Sequence, residues 1–426
     1  MLIKKEKCNE ITIMLNSFAL SIIINAQYIA YIANVYFGFS GGLVTMLYIL
    51  ALALVLFSTF FNDFKLTYNV SKTSLLLVGY TLIAFVFSFL ATSGDNTLDY
   101  FTDFIATGII TLAIVQATND CEYILRFNMA FSVLFCFQPS TYVSAALMNI
   151  SYDRASMFAS YILVPVILSG LYHFLFYRKT KPLYIILYLA SLFTFIRTFS
   201  ILGRGPLLSI LVGVVMAVLV KNKEKWGTSS TRLKFFIIVL VIGILLVVSN
   251  IQAILIALNS ILQNQGIQIA AITKSINLLS SEGSVGLLNN RNDRWSWALS
   301  MFSESPLFGN GIGSYADMYG TWPHNIVLQL LVEVGVIGAF PLLFAMFHII
   351  YNIIFKDMEY DDLIIVAFLC GISIPRLMLS SYLWHHPEFW LFMYFGLISI
   401  NRSRCNVATT NRDGGCNEYR NTIMNP

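Results

Sequence analysis

Apolar runs recur along this 426-residue chain from Ile11 to Ile400, separated by short polar stretches. A membrane-crossing helix needs about 20 mostly apolar residues. By that measure the pattern predicts about twelve spans, roughly 11–34, 42–60, 73–91, 101–117, 123–141, 157–177, 183–200, 206–220, 234–258, 324–354, 362–383 and 388–400. The fifth, eighth and twelfth are short or interrupted. The expected fold is an all-α polytopic integral membrane protein, a single transmembrane domain over about 1–400. A long segment of about 259–323 between spans carries short interfacial helices. The polar, Asn-rich stretch 401–426 reads as a flexible cytoplasmic tail.

Charge orients these spans. With a cytoplasmic N-terminus, one set of loops holds Lys4, Lys5, Lys7, Lys65, Lys72, Arg178, Lys179, Lys181, Lys221, Lys223, Lys225, Arg232, Lys234, Lys356, Arg402 and Arg404. The opposite loops are nearly free of Lys and Arg, which is the positive-inside bias. An even number of spans puts both termini in the cytoplasm. Lys4, Lys5 and Lys7 precede a long apolar run with no small-residue cleavage pattern, so the first helix reads as a retained anchor.

Composition agrees with this picture. The chain is 57% hydrophobic and 11% charged, against about a quarter charged in soluble domains. The net charge of +4 is spread thinly, so no basic patch for nucleic acid forms. The six cysteines have neither paired nor metal-type spacing, and no disulfide framework is expected. Asp357, Glu359, Asp361 and Asp362 cluster on the cytoplasmic side and read as a solvated loop.

The candidate chemistry lies on the other side, where Arg154, Arg204, Arg291, Arg294, His324, His385 and His386 defy the charge bias. Residues 291–302 predict an amphipathic interfacial helix with Trp295, Ala298, Leu299 and Phe302 on its apolar face and Asn289 or Asn290 as its cap. Arg291 and Arg294 share one side of its first turn. Two guanidinium forks beside a helix N-terminus suit a phosphate or diphosphate; contacts to lipid phosphates or to Asp293 are the alternative. The glycines of Ser305 to Tyr315 fit no nucleotide fingerprint and read as a turn.

Asn325, Gln329 and Glu333, four apart, predict a polar stripe on the tenth span. Glu333 and Arg376 have similar depth, which predicts a structural interhelical Glu333–Arg376 contact. His324 stands at the water boundary, either as a base toward a hydroxyl or as a capping residue. His385 and His386 compete for the base role. Arg204 sits in a tight turn between Gly203 and Gly205, and Arg197 lies two helical turns earlier.

Arg154 before a span, the Gly203–Leu208 turn, Arg294 to Phe302, Ser305 to Gly313, and His324 to Gly338 together resemble the O-antigen polymerase and O-antigen ligase superfamily, most strongly over about Arg291 to Pro341. The resemblance implies a metal-independent, cofactor-free membrane glycosyltransferase in the bacterial inner membrane. Its partners would be an oligosaccharide on undecaprenyl diphosphate, the lipid bilayer and a chain-length regulator protein. A repeat-unit polymerase of O-antigen, capsule or exopolysaccharide is the first reading. A ligase acting on lipid A–core is the alternative, and a flippase or transporter is the reading from another class. Carried over to this chain, Arg291, Arg294 and Arg204 would hold the diphosphate with Arg154 as a further contact, and His324 would orient or deprotonate the acceptor hydroxyl.

Overall fold

The computed structural model describes residues 2–38, 42–62, 71–91, 95–117, 119–137, 141–147, 152–199, 204–226, 251–266, 272–273, 276–277, 280, 291–356 and 358–410. These residues form helices and no strand. In chain order the α-helices are α1 (Leu2–Phe37), α2 (Leu43–Ser58), α3 (Lys72–Ala91), α4 (Asp95–Phe104), α5 (Thr111–Val115), α6 (Cys121–Ala130), α7 (Thr141–Leu147), α8 (Tyr152–Phe176), α9 (Pro182–Phe199), α10 (Arg204–Trp226), α11 (Ile251–Asn264), α12 (Arg291–Glu304), α13 (Ser314–Tyr319), α14 (Ile326–Phe355), α15 (Tyr360–Leu379) and α16 (Pro387–Thr410). A π-helical turn, Ile105–Ile110, joins α4 to α5.

Eight helices among the described residues are long and apolar enough to cross a membrane: Glu10–Phe37, Leu43–Asn62, Lys72–Ala91, Asn96–Val115, Ala155–Phe176, Gly205–Lys223, Ile326–Phe355 and Tyr360–Leu379. The chain is therefore an all-α polytopic membrane protein, with fewer such helices than the twelve apolar runs suggest. The fifth run breaks into α6 and a 3-10 stretch, Phe131–Phe137. The seventh is the shorter apolar helix α9. Most of the ninth falls at 227–250, outside the described residues. The twelfth is α16, whose first turns are wholly buried from Trp390 to Tyr394 and whose second half turns polar. That helix continues to Thr410, and 411–426 lie outside the described residues.

The core forms where α15 packs between α10 and α16, and where α1 and α8 close on α6. Helix α14 is broken inside its apolar stretch. Gly335 takes φ 65° and ψ −174°, a backbone conformation that side chains with a Cβ disfavour. A break at membrane depth must have its freed backbone groups satisfied by protein. The glycine-rich segment before α13 does this. Asn310 and Gly311 N–H donate to the carbonyls of Val332 and Glu333 at 2.8 and 2.9 Å, while Val336 and Ile337 N–H donate to Pro306 and Leu307 at 2.9 and 3.1 Å. The approach is so close that a Cβ on Gly335 would lie 2.3 Å from the Leu307 carbonyl oxygen, and one on Gly309 2.5 Å from the α14 backbone.

Gly335→Ala is therefore expected to lower stability by about 1–3 kcal/mol from backbone strain alone, with the clash adding to it. Thermal unfolding of the solubilised variant reads the effect. An unchanged midpoint would show that the loop does not lock the break.

Helix α12 lies across α14 at the end of the bundle that also carries the N-termini of α8 and α10 and the α15–α16 turn. Its buried stripe is Ala298 and Met301, packed with Phe302 against Tyr315 and Val332. The sequence-predicted face is thus rotated: Leu299 is 53% exposed, because the partner surface meets α12 on the Met301 side. Trp295 reaches back to donate from Nε1 to the Pro323 carbonyl at 3.2 Å. Residues 289–290, the expected cap, lie outside the described residues.

Candidate functional site

The polar stripe on α14 builds the floor of the site. Asn325 caps the helix, its Oδ1 accepting from the N–H groups of Val327 and Leu328 at 3.0 and 3.2 Å. One turn on, Gln329 Oε1 accepts the Leu383 N–H at 3.0 Å. A further turn on, Glu333 accepts the Trp384 indole N–H at 2.9 Å, Gln329 Nε2 at 3.2 Å, and the Gly313 N–H at 3.4 Å. From the opposite side, the Thr107 hydroxyl donates to the Trp384 carbonyl at 2.7 Å. A buried polar group keeps its place only with such partners. Together these bonds fix the 380–386 turn between α15 and α16.

The expected Glu333–Arg376 contact does not form. Arg376 donates instead to Gln27 Oε1 of α1 at 2.7 Å and to Glu388 Oε1 of α16 at 3.3 Å, with its guanidinium 5.2 Å over the Tyr161 ring. The two residues do share depth, but Arg376 points toward α1 and α16, whereas Glu333 is taken up by Trp384 and Gln329.

Above this floor stand the predicted functional groups. Arg291, on the first turn of α12, donates from Nη2 to the Leu379 carbonyl at the C-terminus of α15, at 2.6 Å; a cation suits that negative helix end. Arg294 follows one turn later, its backbone carbonyl accepting from Tyr315 Oη at 2.9 Å. His324 is held at φ 55° just before α14. Its ring hydrogen-bonds the Ser380 backbone, and its Nδ1 is buried with no hydrogen-bond partner among the described residues. Burial, then the charges of Arg294 and Arg291, push its pKa down to about 3. The charges of Arg291 and Arg294 thus both act on His324, and its buried imidazole is held neutral.

Ser380 is a residue that sequence reasoning missed. Its carbonyl also accepts the Trp322 indole N–H at 3.4 Å, and its Oγ accepts from Tyr161 Oη at 2.6 Å. Gly205, next to Arg204, abuts the same pair: a Cβ there would fall 1.7 Å from Tyr161 Oη. The N-terminus of α10 therefore opens against the 380–386 turn, which is why a glycine stands there. Arg154 and Arg204 sit in the first turns of α8 and α10. Their side chains, and that of Arg197 in α9, lie outside the described residues.

The two competing histidines part company. His386 is 2% exposed. It contacts Ser381 Oγ through Nε2 and lies 3.5 Å from Glu388 Oε2 through Nδ1. Burial and the nearby Arg376 push its pKa down to about 3. This hydroxyl–imidazole contact, with the Glu388 carboxylate beside it, is sealed in the bundle at the α15–α16 turn. His385 is 40% exposed and faces Asp103, with Nδ1 to Oδ2 at 3.1 Å. Among the described residues no three His, Cys, Asp or Glu side chains converge to hold a metal ion. On the opposite end, Asp361 and Asp362 are engaged by Tyr177 and Arg402, while Asp357 lies outside the described residues.

His324 and His386 fix the sign of an acid response. Both have folded pKa values of about 3, against about 6.5 in an unfolded chain. Between those values the unfolded chain binds more protons, so stability falls as pH falls. The thermal midpoint is expected to drop from pH 7 to pH 5, and His324→Asn is expected to flatten that dependence. An equally steep drop in the variant would contradict the buried, cation-flanked placement of His324.

The family model described as O-antigen ligase matches residues 189–343 of the chain. That stretch takes in Arg204, Arg291, Arg294, His324 and Glu333; Arg154 lies before it and Arg376 after it. No curated protein matches the chain.

Proposed function

We propose that this chain, whose residues 189–343 match the O-antigen ligase family model, is a repeat-unit polymerase acting at the outer face of the inner membrane. It would transfer a glycan from undecaprenyl diphosphate to the non-reducing end of another lipid-linked repeat. The observation that carries this reading is that Arg291 donates to the Leu379 carbonyl while the His324 ring bonds the backbone of the next residue, Ser380, which sets a guanidinium beside the imidazole.

The chemistry follows from the residues. The bond between the sugar's anomeric carbon and the diphosphate oxygen breaks, and its electron pair leaves with undecaprenyl diphosphate. Preorganised guanidinium groups stabilise that developing charge. The acceptor hydroxyl oxygen forms the new bond to the anomeric carbon, and its proton passes to the imidazole of His324. With no donor present, burial and then the two arginine charges make this imidazole a poor proton acceptor. A bound diphosphate would offset those charges and raise its basicity. Donor binding would thus prepare the base, and water reaching an empty site would meet an inactive one. Arg204 and Arg154, at the starts of helices opening on the same end, are proposed as further diphosphate contacts. A chain-length regulator protein fits this reading as a partner.

The ligase reading is the second, favoured by the description of the matching family model. A strain lacking this chain separates them. Surface lipid capped with single repeats is the expected result. Polymer stranded on its carrier would favour the ligase. Single repeats trapped facing the cytoplasm would overturn both in favour of a transporter.

A further inference from the structure

Beside the arginine pair lies a face of opposite character. Trp322 meets His324 edge-on at 5.4 Å and Tyr382 at a tilt at 5.1 Å, ring centre to ring centre. Tyr382 lies in turn 4.8 Å from Tyr100, at 22° between planes, and 5.6 Å from His385, at 26°. Trp322, Tyr382 and His385 all remain partly exposed. At the edge of this platform stands Asp103, whose carboxylate is 29% exposed. Tyr382 Oη donates to its Oδ2 at 3.0 Å, and His385 Nδ1 meets the same oxygen at 3.1 Å. Among the described residues both contacts fall on Oδ2, which leaves Oδ1 able to accept from a ligand. Asp103 sits on the last turn of α4, two residues before the π-helical turn Ile105–Ile110; such turns are frequent at functional sites.

We propose that Trp322, Tyr382, His385 and Asp103 form the subsite for the acceptor's terminal sugar ring. The partly exposed Trp322 offers an aromatic surface for the ring's C–H groups, and Asp103 a carboxylate for its hydroxyls. Asp99 lies one turn before Asp103 on α4, so this side of the site carries two carboxylates. A diphosphate is repelled there and drawn to the arginines, while a neutral, hydroxyl-rich ring is not. The two faces meet at His324, through Trp322. The acceptor hydroxyl would therefore arrive beside His324 from the Asp103 side, and the donor from the Arg291 side. Such sorting matters for a polymerase, since both of its substrates carry the same lipid diphosphate and only their sugar ends differ in role.

The assignment rests on the transferase reading above, but its test does not use transfer. The probe is the repeat oligosaccharide freed from its carrier by mild acid, titrated against the purified full-length protein in detergent. The unmodified protein is expected to bind it. Asp103→Asn and Trp322→Ala are each expected to bind about tenfold more weakly, the loss of one charged hydrogen bond or one stacking face. His385→Ala, an exposed change, is expected to weaken binding as well, and Trp322→Phe to retain most of it. Arg291→Ala is expected to bind the free oligosaccharide as the unmodified protein does. No binding by the unmodified protein, or equal binding by the Asp103, Trp322 and His385 variants, would overturn the subsite and leave the transferase reading intact. Single repeats trapped facing the cytoplasm in a strain lacking this chain would overturn the transferase reading whatever the binding results.

Discussion

Arg291→Ala is expected to abolish polymer while the protein still inserts at its normal level. Three features concentrate the effect on this residue. Its guanidinium is fixed by the bond to the Leu379 carbonyl at 2.6 Å, so little reorganisation is needed when charge develops. It stands on the first turn of α12, where backbone N–H groups also favour an anion. Its charge already reaches His324. Removing one preorganised donor of this kind costs about a hundredfold to a thousandfold in rate. Arg291→Lys keeps the charge but loses the planar fork, so it should recover only part of the rate. Helix α12 is held to α14 by Ala298, Met301 and Phe302, all away from Arg291, so the thermal midpoint should change little. Near-normal chain length on the surface of Arg291→Ala cells would refute the diphosphate role.

The second large effect is on stability, at Arg376. This side chain and Glu388 are 10% and 5% exposed and 3.3 Å apart. Arg376 also ties α15 to α1 through Gln27. Arg376→Leu would leave the Glu388 carboxylate buried beside His386 without its cation. Breaking a buried pair from one side costs about 3–5 kcal/mol, whereas replacing both charges with apolar groups is often near neutral. Arg376→Leu should therefore lower the thermal midpoint sharply, and the double change Arg376→Leu with Glu388→Leu should restore much of it. A double variant less stable than either single one would contradict the ion-pair reading. The same comparison separates this strut from the site, because the double variant should still bind undecaprenyl diphosphate.

Hydrophobic periodicity made the helices legible, and the charge bias singled out the arginines that break it. Arg291, Arg294 and His324 were legible for a specific reason: each lies in a polar interval beside an apolar run, so pattern alone places them at one boundary. What pattern cannot give is azimuth. Glu333 and Arg376 have similar depth, yet they point to different neighbours. The same gap explains why the buried stripe of α12 includes Met301 and leaves Leu299 exposed. His385 and His386 are adjacent and chemically equal in sequence; one faces water and the other is sealed beside Glu388. The break at Gly335 is invisible to hydropathy because apolar residues flank it on both sides. Its mate, the Gly309–Gly311 segment, reads as a plain turn until α14 supplies the carbonyls that its N–H groups need. Asp103 and Tyr382 had no sequence signal, since 279 positions separate them.

Binding undecaprenyl diphosphate to the purified protein and determining the structure of the complex addresses the arginine cradle most directly. The diphosphate is expected between Arg291 and Arg294, within hydrogen-bonding reach of both guanidinium groups and adjacent to His324, with the lipid tail running down the outside of the bundle. A diphosphate bound elsewhere, with those three side chains turned away from it, would contradict that cradle.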